Sequence, residues 1–98
     1  YFKNSMGITA YKGKISQILI NAKPVAARYL KSQPIHESQE IHSENKENTL
    51  FMMSLLISEE LIRTIMSYGG EIEVVQPGEL REIIEKRISD MNHLYKLN

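Results

Sequence analysis

The chain has 98 residues, of which 42% are hydrophobic, twelve are basic and twelve are acidic, and it contains no cysteine. This length allows one domain with one modest core, and this hydrophobic content is typical of a globular chain and excludes general disorder. The lack of cysteine excludes disulfides, a thiolate nucleophile and thiolate metal ligands.

The first half of the chain predicts one strand followed by one helix. Residues 1–13 are expected to be irregular. Residues 14–21 read as a strand, in which Ile18 and Ile20 share one face while Ile15 and Leu19 flank the other. Asn21 is a candidate helix cap, and Pro24 suits the first turn of a helix that Pro34 ends.

The middle of the chain predicts a hairpin and a second helix. Residues 37–44 form a mostly polar strand, which favours the edge of a sheet. After a polar turn, residues 49–57 are apolar on both faces, which favours a central strand. Ser58 is the predicted cap of the next helix, and Gly69-Gly70 supplies the left-handed residue that ends it.

The remaining residues predict a fourth strand and a long final helix. Residues 71–76 read as the strand, and residues 79–97 repeat apolar side chains at helical spacing. The order β-α-β-β-α-β predicts the α+β class, with a ferredoxin-like antiparallel sheet and an added C-terminal helix. Two helices cover one face of such a sheet, so the N-terminal arm, the final helix or another chain must cover the other.

The charges are divided unevenly along the chain. Residues 1–36 contain six basic residues and no acidic one, whereas residues 37–98 contain six bases and all twelve acids. The two parts therefore carry +6 and −6. Such a division favours a surface that faces a polyanion or a second copy, unless the two parts interleave in space and their fields cancel.

Short motifs follow one another along nearly the whole chain. They are Tyr1-Phe2-Lys3-Asn4-Ser5-Met6-Gly7-Ile8, Ala26-Ala27-Arg28-Tyr29-Leu30, Pro34-Ile35-His36-Glu37-Ser38-Gln39, Glu60-Leu61, Ser67-Tyr68-Gly69, Glu73-Val74-Val75 before Pro77, Leu80-Arg81-Glu82 and Leu94-Tyr95. Together they resemble the C-terminal extension domain, WCX, of WYL-domain transcriptional regulators. Glu37 stands where that family often has a second proline, which leaves the corner around it less constrained.

The resemblance implies a non-enzymatic module of a bacterial, cytoplasmic transcription regulator. Residues 1–13 are then the linker that leaves an upstream WYL-like domain, and residues 14–98 are the ferredoxin-like extension domain. The implied work is oligomerisation and effector sensing. The implied partners are a second copy in a dimer, the upstream WYL and winged-helix domains, DNA through the parent protein, and a small-molecule or nucleic-acid effector. No cofactor is expected, and the longest apolar run, residues 50–57, is too short to cross a bilayer.

Two places hold the residues expected to carry this function. His36, Ser38 and Gln39 form a polar corner, which serves either an effector or the free backbone groups at the end of the helix. On a regular strand His36 and Ser38 would lie about 7 Å apart, too far for a nucleophile and its base. Arg81 is expected either to bind a carboxylate or phosphate or to pair with Glu85.

Residue type and spacing indicate one alternative function and argue against a second. The alternative to a regulatory module is direct nucleic-acid binding through the basic residues Lys12, Lys14, Lys23, Arg28 and Lys31. Few aromatic residues interleave with these, so base stacking is poorly provided and a solvated helix face competes with this interpretation. Glu40, His42 and Glu44 share one face of the predicted strand, but their spacing matches no closed structural site, so no metal is expected.

Overall fold

The computed structural model describes residues 10–95, with side chains from Ile15 onward. Its elements are β1 (Ala10–Ala22), α1 (Pro24–Ser32), β2 (Glu40–Glu44), β3 (Thr49–Ser58), α2 (Glu59–Met66), β4 (Ile72–Gln76) and α3 (Gly78–Tyr95). The predicted α+β, ferredoxin-like order with an added C-terminal helix is confirmed. Most of the predicted linker and the end of the predicted final helix lie outside the described residues, and residues 10–13 belong to a strand, not to an irregular segment.

The four strands form one antiparallel sheet in the order β2-β3-β1-β4. β3 lies between β1 and β2, and its side chains alternate between buried and half-buried because both of its faces are apolar. β2 is exposed at every position and lies at an edge. The predicted central position of the apolar strand and the edge position of the polar one are therefore both confirmed.

The core lies between one face of the sheet and the helices. The strands contribute the buried side chains of Ile18, Ile20, Ala22, Phe51, Met53, Leu55, Ile57, Ile72 and Val74. The helices contribute Ala26, Ala27, Leu30, Leu61, Ile62, Ile65 and Leu80. Each fully buried large apolar side chain stabilises the fold by about 1.5–3 kcal/mol, so this layer is the main source of stability.

Local signals set most of the helix ends. Ser58 Oγ accepts a hydrogen bond from the Leu61 N–H at 3.1 Å, and Gly69 has φ of 61°, both as predicted. The expectation that Asn21 caps α1 is wrong, because Asn21 lies inside β1, where Leu50 and Glu73 are its neighbours. Lys23 is the N-cap of α1, and its side chain makes no capping bond.

α3 joins the helix layer beside α2 and β4. Leu80 is fully buried in the core, and Ile84 packs against it from the next turn. Arg87 then donates to both carboxylate oxygens of Glu59, at 2.6 and 2.7 Å, and so fastens the middle of α3 to the start of α2. Within the described residues, the three helices thus lie on one side, and the opposite face of the sheet carries no helix.

Candidate functional site

The corner at residues 34–39 is a turn and not the beginning of β2. The Gln39 N–H donates to the His36 carbonyl at 3.0 Å, and the strand begins only at Glu40. The predicted strand over residues 37–44 was therefore too long. A bulge between Ile41 and Ser43 also breaks the alternation. The polar residues of this segment consequently do not share one face, and the predicted arrangement of Glu40, His42 and Glu44 is wrong.

Ser38 replaces a strand residue beside β3. The pairing of Glu40 with Met52, continued by two residues, places Ser38 opposite Ser54. Ser38 Oγ accepts from the Ser54 N–H at 2.8 Å and donates to the Ser54 carbonyl at 3.1 Å. These are the backbone groups that a longer β2 would pair, so one hydroxyl stands in for two bonds of the sheet.

His36 also contacts the Ser38 hydroxyl. Its Nδ1 lies 2.8 Å from Ser38 Oγ and 3.1 Å from the Ser38 nitrogen. The predicted separation of about 7 Å was wrong, because it assumed an extended strand, whereas the turn brings the two side chains together. The Ser54 carbonyl is already the acceptor of the Ser38 hydroxyl, so His36 acts in this geometry as a brace of the corner.

Gln39 closes the end of α1. Its Nε2 donates to the Leu30 carbonyl at 2.9 Å, and its Oε1 accepts from the Ile35 N–H at 2.8 Å. The Leu30 carbonyl is among the last four of the helix, which have no partner inside it. The predicted use of corner side chains for free backbone groups is confirmed, while an effector role for the corner stays a prediction.

Arg81 covers the outer edge of β4. The Lys23 N–H donates to the Glu71 carbonyl at 2.9 Å, so the backbone groups of Glu71 point toward β1. Because these directions alternate along a strand, the backbone groups of Ile72 and Val74 point away from β1. Arg81 Nη1 donates to the Val74 carbonyl at 2.9 Å. The same guanidinium lies 3.4 Å from Glu73 and 3.5 Å from Glu85, so the predicted pair with Glu85 is present.

Lys31 of α1 is bound by a side chain of the edge strand β2. Its Nζ forms a salt bridge with Glu44, and Thr49 Oγ1 donates to the same carboxylate at 3.2 Å. The pKa of the Glu44 carboxyl lies below its ordinary value, chiefly because Lys31 donates a hydrogen bond to it and then because Thr49 does. This cluster ties the end of α1 to β2.

The remaining predicted polyanion-binding residues are spread over two elements. Lys23 and Arg28 are exposed at the start and on the surface of α1. Lys12 and Lys14 lie in β1, and their side chains are outside the described part of the chain. Of this predicted set, the described side chains are those of Lys23, Arg28 and Lys31, and Lys31 is in a salt bridge with Glu44, so the described part of the set does not form a continuous basic surface.

Two kinds of site find no support among residues 10–95. No three histidine, aspartate or glutamate side chains lie close enough to one another to hold a metal ion. No helix in this range combines the length and the apolar character that crossing a membrane requires.

An apolar groove, which the sequence did not predict, runs between α3 and the end of α2. It consists of two adjoining spaces of about 260 and 290 Å³. Its walls are Ile65, Met66, Gly69, Gly70, Ile72, Ile84, Ile88 and Met91, and Arg81 lies at one end between Glu73 and Glu85. No atom lies within 4 Å of the place where a side chain would begin at Gly69 or Gly70, which keeps that wall open.

The second half of α3 leaves the core but keeps its apolar side chains. The exposed fractions are 49% for Ile88, 47% for Met91, 77% for Leu94 and 70% for Tyr95. Ile88 and Met91 are also walls of the groove, so the groove adjoins this exposed stripe. The signal for it in the sequence was the length of the stripe on the final helix, which exceeds what the core of one small domain can cover.

Comparison with known families gives one match. The family model described as the WCX domain matches residues 17–91. The match includes the corner, Arg81, the groove and the three helices as far as Met91. No curated protein matches the chain.

Proposed function

The chain belongs to the WCX domain family, and on this premise we propose that it is the C-terminal regulatory module of a bacterial WYL-type transcriptional regulator. In this proposal the module is not catalytic. It joins copies of the regulator and relays the binding of an effector to the DNA-binding part of the parent protein.

The exposed apolar half of α3 is the observation that carries the proposal. Four large apolar side chains, from Ile88 to Tyr95, are between 47% and 77% exposed on one helix. A continuous apolar patch of this kind marks an interaction surface more often than a surface left in water. The double contact of Arg87 with Glu59 holds the helix at its midpoint, so the second half is presented in a fixed direction.

The polar residues support a role without catalysis. Ser38 bonds to the backbone of Ser54, Gln39 to that of Leu30, and Arg81 to that of Val74. A catalytic group needs a free hydrogen-bonding position directed at a substrate. These side chains instead form hydrogen bonds with the backbone of their own chain, which favours a structural function for each.

Direct polyanion binding has weaker support. It depends on a cluster of positive charge, because the affinity for phosphates comes from neutralising several of them at once. Of the five predicted residues, three have described side chains, and one of these, Lys31, is paired with Glu44, which leaves Lys23 and Arg28 from that set. Regulation through assembly is therefore the function that we place first.

Sedimentation of the 98-residue chain tests this function. We expect a dimer at micromolar concentration that dissociates on dilution. Leu94→Glu should shift the equilibrium to monomer, because it puts a charge into the apolar surface. Ser89→Glu adds the same charge to the opposite face of α3 and is the matched control. A chain that stays monomeric at every concentration would overturn the proposal for this module.

A further inference from the structure

We propose that the part of β1 that extends beyond the end of β4 is a docking edge for an acidic, extended peptide segment of a partner protein. β1 covers Ala10–Ala22, whereas its pairing with β4 begins only at Leu19. Residues 10–18 of this interior strand thus have β3 on one side and, among the described residues, no strand on the other. This inference does not depend on assembly through α3.

The backbone groups of Ile15 and Gln17 point to the side that lacks a strand. Ser54 lies opposite Gln17, and its N–H and carbonyl both bond to Ser38, on the far side of β3. Residues that lie opposite each other in an antiparallel pair direct their backbone groups either toward each other or both away. Gln17 therefore directs its N–H and carbonyl away from β3, and Ile15, two residues earlier, does the same.

The pairing with β4 gives the same directions. The Lys23 N–H donates to the Glu71 carbonyl, so the residues at intervals of two before Lys23 also face the β4 side. The register with β3 is continuous from Ile15 to Ala22, so this alternation is unbroken. Within the described part of the chain, no hydrogen bond reaches the backbone of Ile15 or Gln17 from the β4 side.

Exposure and space show that this edge is accessible. Ile15 is 50% exposed, whereas Leu19, on the same face but beside β4, is half-buried. After Gln76 the chain turns into α3, and no atom lies within 4 Å of the place where a side chain would begin at Gly78. A strand added here would lie end to end with β4.

The two outer edges of the sheet are less suited to a peptide. β2 is interrupted by a bulge between Ile41 and Ser43, and Arg81 donates to the outward carbonyl of Val74 in β4. Bulges and charged side chains are among the means by which proteins keep an edge from pairing with another chain. The stretch 15–18 of β1 has neither, because its register is regular and its residues are uncharged.

The hydrogen-bonding pattern and the charge of the edge specify the partner. Backbone N–H and carbonyl groups at every second residue match an extended backbone, so the partner is a peptide segment that adds a strand. Lys12 and Lys14 lie in the same unpaired part of β1, and no acidic residue precedes Glu37 in the sequence. Opposite charges across a pair of strands are stabilising and like charges are destabilising. An acidic segment is therefore favoured over the same edge of a second copy, which carries the same lysines.

Titration with a short blocked peptide of alternating valine and glutamate, followed by NMR, tests the proposal. We expect the amide signals of Ile15 and Gln17 to shift and their exchange with solvent to slow. A peptide of alternating valine and lysine should bind about tenfold more weakly, because it sets like charges opposite Lys12 and Lys14. The acidic peptide methylated on every backbone nitrogen keeps its side chains but loses its donors, and it should not bind.

Gln17→Pro removes the same contact from the side of the protein. Proline is compatible with a strand where the N–H that it lacks makes no bond in the sheet, so the pairing of β1 with β3 should be retained. We expect the dissociation constant of the acidic peptide to rise about tenfold or more, because a donor is lost and the ring occupies the edge. Gln17→Thr keeps the N–H and is the matched control. Circular dichroism checks folding, and the methylated peptide tests the same contact on the unchanged chain.

The amides of Ile15 and Gln17 also identify any other occupant. Without peptide they should exchange faster than those of Ser16 and Ile18, which face β3. Slow exchange at every protein concentration would mean that the chain covers its own edge, and slow exchange only at high concentration would mean a second copy. Either result overturns the proposal.

The peptide series gives the remaining outcomes. The proposal is overturned if the acidic peptide leaves these two amides unshifted, if the basic peptide binds equally well, or if the methylated peptide does. The proposed assembly through α3 is tested separately by Leu94→Glu, so the failure of one is distinguishable from the failure of the other.

Discussion

Ser38 lies opposite Ser54 at the position where β2 would continue along β3, and its hydroxyl makes both hydrogen bonds that a backbone would make there. The sheet edge is completed by a side chain, while the backbone is free to turn. This freedom lets Gln39 reach back to the Leu30 carbonyl and close the end of α1. The corner thus joins a helix end to a sheet edge through two consecutive side chains.

Ser38→Ala is expected to destabilise the domain. The substitution leaves the Ser54 N–H and carbonyl without their partner at a half-buried place, which costs about 1–3 kcal/mol. Urea denaturation measures the change. Ser43→Ala, at an exposed position of β2, is the control and should change the free energy of unfolding little. Equal midpoints for the two variants would contradict the bracing role.

His36→Ala distinguishes the contribution of His36 from that of the hydrogen bonds between Ser38 and Ser54. Ser38 keeps both of its bonds to Ser54 in this variant, so we expect a smaller loss than for Ser38→Ala, about 1 kcal/mol. A loss larger than that of Ser38→Ala in the same denaturation experiment would show that His36 stabilises the corner by another route.

Some features of the fold could be predicted because short segments determine them. Ser58 and Gly69 were correctly identified, since a helix cap and a left-handed residue depend on a few neighbours. The central position of β3 followed from its two apolar faces. The start of β2 was missed because polar residues that form an edge strand and those that form a bonded turn have the same composition, and only the contact of Ser38 with Ser54 distinguishes them.

The groove could not be predicted for a related reason. Its walls come from α3 and from the end of α2, and the distance between them depends on how the two helices pack. Gly69-Gly70 predicts the left-handed residue that follows α2, and Gly69 has φ of 61°, although α2 itself ends at Met66. Nothing in that pattern shows that the space beside the glycines stays open. The unusual length of the apolar stripe on α3 indicates that this helix carries more apolar surface than one small core covers.

The pKa of Glu44 leads to a pH-dependent prediction. Because the pKa of Glu44 is lowered in the folded state, its carboxylate stabilises the fold at pH values above its pKa in the unfolded chain, about 4.3 for glutamate. This stabilisation is lost as the pH falls through the pKa of the folded state. Lys31→Gln removes the main cause, so the pKa of Glu44 should rise toward its ordinary range. An NMR titration of the Glu44 carboxyl measures this. Lys46→Gln, in the adjacent turn, should leave it unchanged, and an unshifted titration in Lys31→Gln would contradict the salt bridge in solution.

Binding to short single-stranded oligonucleotides tests the alternative function. We expect weak binding that appears only at low salt, because, of the predicted basic set, the described side chains of Lys23 and Arg28 are exposed while that of Lys31 is in a salt bridge with Glu44. Arg28→Glu should weaken it further, and Lys46→Glu serves as a control at the distant hairpin turn. Fluorescence anisotropy at increasing salt measures the affinity. Tight binding that persists at physiological salt and is abolished by Arg28→Glu would favour the polyanion function over assembly.

The anchor of α3 is the contact of Arg87 with Glu59, and its loss should loosen the exposed half of the helix. Glu59 also accepts a hydrogen bond from Arg63 at 2.9 Å, so its carboxylate orders side chains of two helices at once. Arg87→Met removes a partly buried, two-point contact and is expected to cost about 1–2 kcal/mol.

Hydrogen exchange locates the effect of this substitution. The amides of α3 beyond residue 87 should exchange faster in Arg87→Met. The exchange rates of the amides of β1 and β3 should change only by the amount that the change in global stability accounts for. Lys86→Met is the matched control, because its salt bridge with Asp90 at 3.4 Å is exposed and contributes little. If both variants exchange alike along α3, the helix is held by Leu80 and its neighbours alone, and the direction of its exposed half is not set by Arg87.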